Sequence, residues 1–203
     1  MSDGMLTQGN LRPLRQYAES EVLNFFALDP TGLNGQLVAF ATGNQSPETA
    51  DGYSNQSVGS SFTNIVSNRY LNNRRVRPAV VGDLKSQIAG VTLHTTAEFD
   101  ENGQKLVLLS PDQAYERGFV PSGFTTPILK RGLLTVALSQ ISNASTVSPL
   151  PGYVLVPTGN GAFCSMPAAT ATGNADYFQR VIGRVVSTSG SFNGGYLQIE
   201  VSV

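Results

Sequence analysis

Short segments in which apolar and polar residues alternate recur along this chain, and each ends within a few residues at Gly, Pro, Asn or Asp. A period of two places successive side chains on opposite faces of a β-strand, whereas a surface helix needs a period near 3.6. The clearest example is YLQIEVSV at 196–203, where every second residue from Leu197 onward is apolar. This segment predicts a strand with one buried face.

Further strands are predicted on the same grounds, with turn-forming residues between them. The predicted strands are 22–28, 35–41, 76–81, 89–95, 104–109, 127–138, 152–157, 161–166, 181–188 and 195–203. Asn102-Gly103 and the TGNG sequence at 158–161 are interpreted as tight hairpin turns, because Asn and Gly tolerate positive φ. One short helix is predicted at 112–118, which has an acidic residue near its start and a glycine at its end. The chain is therefore predicted to be all-β, with little helix.

Two regions fall outside the strand pattern. Residues 1–24 combine Gly and Pro interruptions with sparse apolar residues and are predicted to form an N-terminal arm, either disordered or docked on a partner. A short helix over 11–26 is an alternative that periodicity does not decide. Residues 43–64 are rich in Gly, Ser and Asn and predict a long exposed loop. Residues 25–203 are then a single β-domain carrying this loop.

Composition excludes several classes of function. Charged residues make up only 13% of the 203 residues, and the net charge is −1, which argues against a general nucleic-acid binder held by bulk charge. No apolar run approaches the roughly 18 residues of a membrane span, and residues 1–20 contain no apolar core of a signal peptide.

Positive charge is concentrated in one stretch. Five basic residues and one acidic residue give residues 69–85 a net charge of +4. This patch favours an acidic protein partner over nucleic acid, because Tyr70 is the only aromatic residue interleaved with the bases at 68–78. A solvated strand with arginines on its outer face explains the same pattern equally well.

The chain lacks the usual constellations of catalytic and metal sites. Its only histidine is His94 and its only cysteine is Cys164, too few for a zinc site of the usual type or an internal disulfide. Val91 and Leu93 are expected on one face of a strand, with Thr92 and His94 on the other, so His94 is interpreted as an ordinary strand histidine. Cys164 is interpreted as a small buried hydrophobic residue. No catalytic, metal or cofactor-binding residue is predicted.

The order of motifs in residues 76–203 resembles the bacteriophage capsid decoration, or cement, proteins. These motifs are VVGD, GVTL, PILKRGLLTVA, PGYVLVPTGNGAF and VIGRVVSTSGSFNGGYLQIEV. The family typically ends in a hairpin with an IGR sequence on one strand and a Gly-Gly-Tyr entry to the next. Here those elements are residues 182–184 and 194–196.

The resemblance implies a small, twisted, mostly antiparallel β-barrel of the β-tulip type. It also implies a homo-oligomer, most often a trimer, on the outer face of an icosahedral head. The expected function is therefore a structural virion protein, made in the host cytoplasm, that stabilises the expanded head by bridging major capsid subunits. The expected partners are the major capsid protein and other copies of this chain, with no nucleic acid, membrane, cofactor or enzymatic activity.

Residues for capsid contact are proposed from their expected exposure alone and not from the resemblance. Four lie in the arm and three in the basic stretch. They are Leu11, Leu14, Arg15, Tyr17, Arg74, Arg75 and Arg77.

Two other functions stay open at the level of sequence. A β-rich adhesion or carbohydrate-binding component of a head fibre or tail would use the 43–64 loop, where Tyr53 and Phe62 are the aromatic residues available to a sugar. A hydrolase would need carboxylates that are far apart in sequence to meet in the fold. Glu98, Asp100 and Glu116 are the candidates for that role.

Overall fold

The computed structural model describes residues 16–27, 34–41, 75–97, 119–121, 125–142, 148–168, 175–188 and 195–203. Several predictions fall outside these ranges and are not tested. They are the loop at 43–64, the strand at 104–109, the helix at 112–118 and the turn at Asn102-Gly103.

The described residues are built mostly from β-strands. The strands are Val22–Ala27 (β1), Leu37–Phe40 (β2), Arg75–Pro78 (β3), Ile88–Thr92 (β4), Thr95–Ala97 (β5), Phe119–Pro121 (β6), Thr125–Leu129 (β7), Arg131–Ala137 (β8), Val154–Pro157 (β9), Phe163–Met166 (β10), Gly183–Thr188 (β11) and Tyr196–Ser202 (β12). Helical structure in the same ranges comprises the α-helix Ala175–Phe178 (α1) and 3-10 turns at Glu19–Glu21, Lys85–Gln87, Leu138–Gln140 and Gly159–Gly161. The predicted all-β class is confirmed. None of the helices among these residues has the length and apolar character needed to cross a bilayer.

Five strands form the first sheet, paired in the order β1-β3-β2-β4-β7, and β7 pairs with β1 in turn. Most of these pairings are antiparallel, but β1 and β3 meet in parallel over two residue pairs. A small apolar cluster forms within this sheet from Val38, Val76, Ala89 and Ile128. Strand β2 alternates between two environments, because Val38 belongs to this cluster while its neighbours on either side belong to a larger core.

The second sheet has the order β10-β9-β11-β12-β8. Strand β12 pairs with β8 along its whole length, from Tyr196 opposite Ala137 to Ser202 opposite Arg131. Its alternate residues are buried, as the C-terminal sequence predicts. The inner face of this sheet packs on the first sheet, because the larger core cluster draws buried residues from both. The two sheets therefore share one hydrophobic core.

Strand β4 departs from the expected alternation. All five residues Ile88–Thr92 are buried, because one face of the strand contributes to the small cluster and the other to the larger core. Thr92 is accommodated by its hydroxyl, which accepts a hydrogen bond from the Gln36 backbone N–H at 3.0 Å. The interpretation of His94 as a strand histidine that shares a face with Thr92 is wrong. His94 lies in the bend between β4 and β5 and is half-buried.

The predicted strand 127–138 is two strands in different sheets. Strand β7 ends at Leu129 in the first sheet, and β8 begins at Arg131 in the second. Lys130 lies at the crossing, where its backbone N–H donates to Glu21 O at 2.8 Å and its carbonyl accepts from Val203 N–H at 3.1 Å. The sequence predicts one strand because apolar residues continue on both sides of the crossing, with only Lys130, Arg131 and Gly132 between them.

The TGNG hairpin is confirmed. It joins the antiparallel strands β9 and β10, with Asn160 at φ 59° and Gly161 at φ 70°. Thr158 N–H donates to Ala162 O at 3.1 Å and closes the turn.

Part of the N-terminal segment takes part in the described fold. Gln16 pairs with Leu133 on β8 through two backbone hydrogen bonds of 3.0 and 2.8 Å, Tyr17 packs against the larger core, and β1 begins at Val22. The described fold includes residues 16–24, which belong to the predicted arm. The division into an arm at 1–24 and a domain at 25–203 stays a prediction. The alternative of a helix over 11–26 is wrong for residues 16–26, which form a 3-10 turn and a strand.

Docking of the N-terminal segment depends on a glycine in β8. A Cβ added to Gly132, which has φ 155°, would lie 2.6 Å from Tyr17 Cβ. We expect Gly132→Ala to lower the free energy of unfolding by about 2 kcal/mol more than Gly152→Ala, since overpacking costs roughly 1–3 kcal/mol. Gly152 is a matched control because it also has a positive φ (89°) but has no atom within 4 Å of an added Cβ.

Urea unfolding measures this difference, and hydrogen exchange locates it. Faster exchange at residues 16–21 is expected in Gly132→Ala alone. Equal losses of stability in the two variants would contradict the packing role assigned to Gly132.

Candidate interaction surfaces

The structure describes the side chains of two of the seven residues proposed for capsid contact, Tyr17 and Arg77. For Arg75 it describes the backbone in β3 only. Leu11, Leu14, Arg15 and Arg74 lie outside the described residues. The capsid contact of all seven stays a prediction.

Tyr17 has a structural role in its own chain. Its side chain is half-buried and packs against the larger core beside Gly132. Together with the Gln16–Leu133 pairing, it fixes the N-terminal segment on β8, the outermost strand of the second sheet.

Arg77 is held by an ion pair within the chain. Its two Nη atoms donate to the two carboxylate oxygens of Asp83 at 2.9 and 2.8 Å, and one of them also donates to Pro78 O at 3.1 Å. Asp83 is 5% exposed and also accepts from Val80 N–H at 2.9 Å. The bidentate Arg77 hydrogen bond lowers the pKa of the Asp83 carboxyl, and the same bond raises the pKa of Arg77.

This ion pair fixes a turn with an apolar tip, residues 80–83, which we call the valine turn. Asp83 N–H donates to Val80 O at 3.2 Å, and Gly82 has φ 104°. Side chains at the tip remain in solvent, with Val80 46% and Val81 70% exposed. The contacts of Asp83 with Arg77 and Val80 therefore fix the backbone that carries two exposed apolar side chains.

Sequence reasoning placed a strand at 76–81 and missed the valine turn. The signal is nonetheless present, since a glycine followed by an aspartate is a common turn composition. What the sequence does not reveal is that Arg77, four residues before the end of that predicted strand, pairs with this aspartate.

The solvent-facing side of the second sheet carries a continuous row of side chains from strand to strand. Strand registers place one residue of each strand in this row, ending at the N-terminal segment. In order across the sheet they are Met166, Val154, Arg184, Glu200, Leu133 and Gln16.

An exposed ion pair lies at the centre of this row. Arg184 Nε donates to Glu200 Oε2 at 2.7 Å, and the two side chains are 65% and 35% exposed. The IGR motif that contains Arg184 does not reveal this pair, because the partner is sixteen residues away on the next strand.

The surroundings of Cys164 are unfavourable for covalent chemistry. Cys164 is half-buried in β10, and desolvation by burial raises the pKa of its thiol, which disfavours the reactive thiolate. Within the described ranges, no three His, Cys, Asp or Glu side chains group closely enough to hold a metal ion. Glu98, Asp100 and Glu116, the candidates for a hydrolase, lie outside those ranges, as do Tyr53 and Phe62.

The position of Cys164 predicts slow alkylation. At pH 7.5 we expect iodoacetamide to modify the folded protein more slowly than a free cysteine derivative, since the raised pKa leaves less thiolate. Mass spectrometry of timed samples measures the rate, and urea-unfolded protein serves as the control. A rate in the folded protein that equals or exceeds that of the free thiol would contradict the burial of this group.

No protein-family model and no curated protein sequence matches this chain.

Proposed function

We propose that this chain is a non-enzymatic virion protein that binds the outer surface of a phage capsid and stabilises the expanded head by bridging major capsid subunits. The observation that carries the proposal is the way the N-terminal segment enters the fold. Gln16 pairs with β8 at an edge of the second sheet, so residues 1–15 join the domain at a sheet edge. A segment joined there can extend onto a neighbouring subunit and pair with a strand of that subunit.

Such a contact becomes strong through repetition. Ordering a chain segment on binding costs conformational entropy, so a contact made by one arm alone is expected to be weak. A homo-oligomer, for which we propose a trimer, presents several arms to a symmetric shell at once, and linked contacts raise the total affinity. The oligomer stabilises the shell because it binds the assembled state better than separated subunits.

The valine turn supplies a second contact in this proposal. Asp83 and Arg77 fix the backbone beneath Val80 and Val81, so these exposed side chains lose little freedom on docking. Preorganised groups bind more tightly for a given contact area. An apolar depression between capsid subunits is the kind of site that fits them.

The finer fold assignment is part of the proposal. A ring of five strands with its own small apolar cluster, packed on a second sheet through a shared core, supports a β-barrel of the β-tulip type.

Binding to purified heads tests the proposed function. Protein is mixed with expanded phage heads that lack it, with unexpanded heads and with free capsid subunits, and bound protein is measured after sedimentation. We expect saturable binding to expanded heads at a stoichiometry set by the shell symmetry, and weak binding to the other two. Equal binding to free subunits, or no saturation on expanded heads, would contradict the proposal.

A further inference from the structure

A groove crosses the solvent-facing side of the second sheet. It has a volume of about 320 Å³, and its walls come from strands β9, β11 and β12, the residues just before β11 and the 3-10 turn at 85–87. Both polar and apolar side chains line it. They are Lys85, Val154, Val181, Arg184, Glu200 and Ser202, with Gly183 between the strands.

Positive charge in this groove exceeds what its acid can neutralise. Lys85 is exposed and Arg184 is 65% exposed, and they face the single carboxylate of Glu200. That carboxylate is bonded by Arg184 through Nε alone. A guanidinium has five N–H donors, so its two Nη groups, like the Lys85 ammonium, keep donors for a further acceptor.

A third basic residue, Arg180, immediately precedes Val181 of the groove wall in sequence. The guanidinium of Arg180 lies 6.0 Å from the ring centre of Tyr177, and its buried Nε has no hydrogen-bond partner among the described residues. Lys85 N–H donates to Gln179 O at 2.9 Å, which fastens the 3-10 turn to the segment that carries Arg180. Lys85 of the groove is thereby tied to the segment that contains both Arg180 and Val181 of the groove wall.

We propose that this groove binds an acidic, extended segment of a partner protein. A carboxylate of that segment accepts hydrogen bonds from Arg184 and Lys85, and a neighbouring aliphatic side chain packs on Val154 and Val181. Charge-assisted hydrogen bonds of this kind are stronger than neutral ones. The surface is distinct from residues 1–15, so the inference does not rest on the proposed virion role.

The chemistry of the walls favours a polypeptide over a polyphosphate. The carboxylate of Glu200 repels a continuous run of phosphates, and the described residues that line this groove include no aromatic ring to stack a base. The two valines instead match the aliphatic side chains that accompany acidic residues in a protein segment.

Fluorescence anisotropy with a defined probe tests the inference. The probe is a labelled ten-residue peptide of alternating glutamate and valine, compared with a glutamine–valine counterpart at low salt. We expect saturable binding of the glutamate peptide alone, weakened about tenfold in the Lys85→Gln, Arg184→Gln double variant because two exposed charge contacts are lost. Arg131→Gln is the matched control, since it removes an exposed charge from β8 in the same sheet outside the groove walls, and it is expected to leave binding unchanged.

Three results would overturn the inference: no saturation with the glutamate peptide, equal binding of the glutamine peptide, or an equal loss in Arg131→Gln. Tighter binding of an oligothymidine of the same charge, competing with the peptide, would also overturn it. Amide chemical-shift changes in the wild-type protein provide a second measurement that needs no variant. Shifts confined to Lys85, Arg184, Glu200 and their strand neighbours support the groove, and shifts elsewhere contradict it.

Discussion

Deletion of residues 1–15 is expected to leave a folded protein that binds expanded heads at least about 100-fold more weakly, because linked contacts contribute roughly 10²–10⁴ to the affinity of a multivalent binder. The cut falls before Gln16, so the two backbone bonds to Leu133 and the packing of Tyr17 are kept. Sedimentation binding curves measure the affinity, and thermal unfolding checks the fold.

Two further variants distinguish the contribution of the arm to head binding from the contribution of the N-terminal segment to folding. Deletion of residues 1–24 is expected to unfold the protein or destabilise it strongly, since it removes Tyr17, Val22 and the start of β1 from the core. The full-length variant Leu11→Ser, Leu14→Ser is expected to weaken head binding without changing the melting temperature. Full binding by the protein that lacks residues 1–15 would remove the arm from the mechanism and leave the valine turn as the main contact.

Loss of the Asp83 carboxylate has the largest expected effect on stability among single polar changes. Asp83→Ala leaves the Arg77 guanidinium with only its bond to Pro78 O and leaves the Val80 N–H without its acceptor. Arg77 keeps a 33% exposed side chain, so we expect about 2–3 kcal/mol, below the range for a fully buried pair, and a fall in Tm of roughly 5–10 °C. Glu200→Ala is the control, because it breaks an exposed pair and is expected to cost less than about 1 kcal/mol.

The lowered pKa of Asp83 predicts how the stability of the protein depends on pH. Its pKa is lower in the folded protein than in the unfolded chain, so its contribution is fully present above the unfolded pKa, about 3.9. That contribution is lost as the pH falls from about 4 through the folded pKa. The difference in unfolding free energy between wild type and Asp83→Asn should be constant from pH 5 to 7 and shrink below pH 4. A difference that grows on acidification would contradict the ion pair.

The parts of the fold that sequence predicted well are those whose signal is local. Alternation at 196–203 and the Asn160-Gly161 turn each depend on neighbours within a few residues, and both are present as predicted. The two buried faces of β4 could not be read from its residues. One face packs in the small cluster of the first sheet, and the other packs in the core shared with the second sheet, whose strands begin at Arg131.

The candidate surfaces also depend on contacts that local sequence signals do not reveal. Exposure logic singled out Arg77 as a contact residue, but its partner Asp83 lies beyond a turn whose geometry the sequence alone did not supply. Arg184 and Glu200 meet only because β11 and β12 are in register. Charge counting along the chain located the basic stretch at 69–85 but not the groove, whose cations come from separate segments.

The disassembly temperature of expanded heads, measured with and without bound protein, tests the proposed role most directly. Light scattering during slow heating follows the loss of intact shells, and the bound amount is fixed by titration. A chain that stabilises shells by binding their assembled state raises this temperature in proportion to occupancy until the sites are full. An unchanged temperature on saturated heads would contradict a stabilising role for this protein.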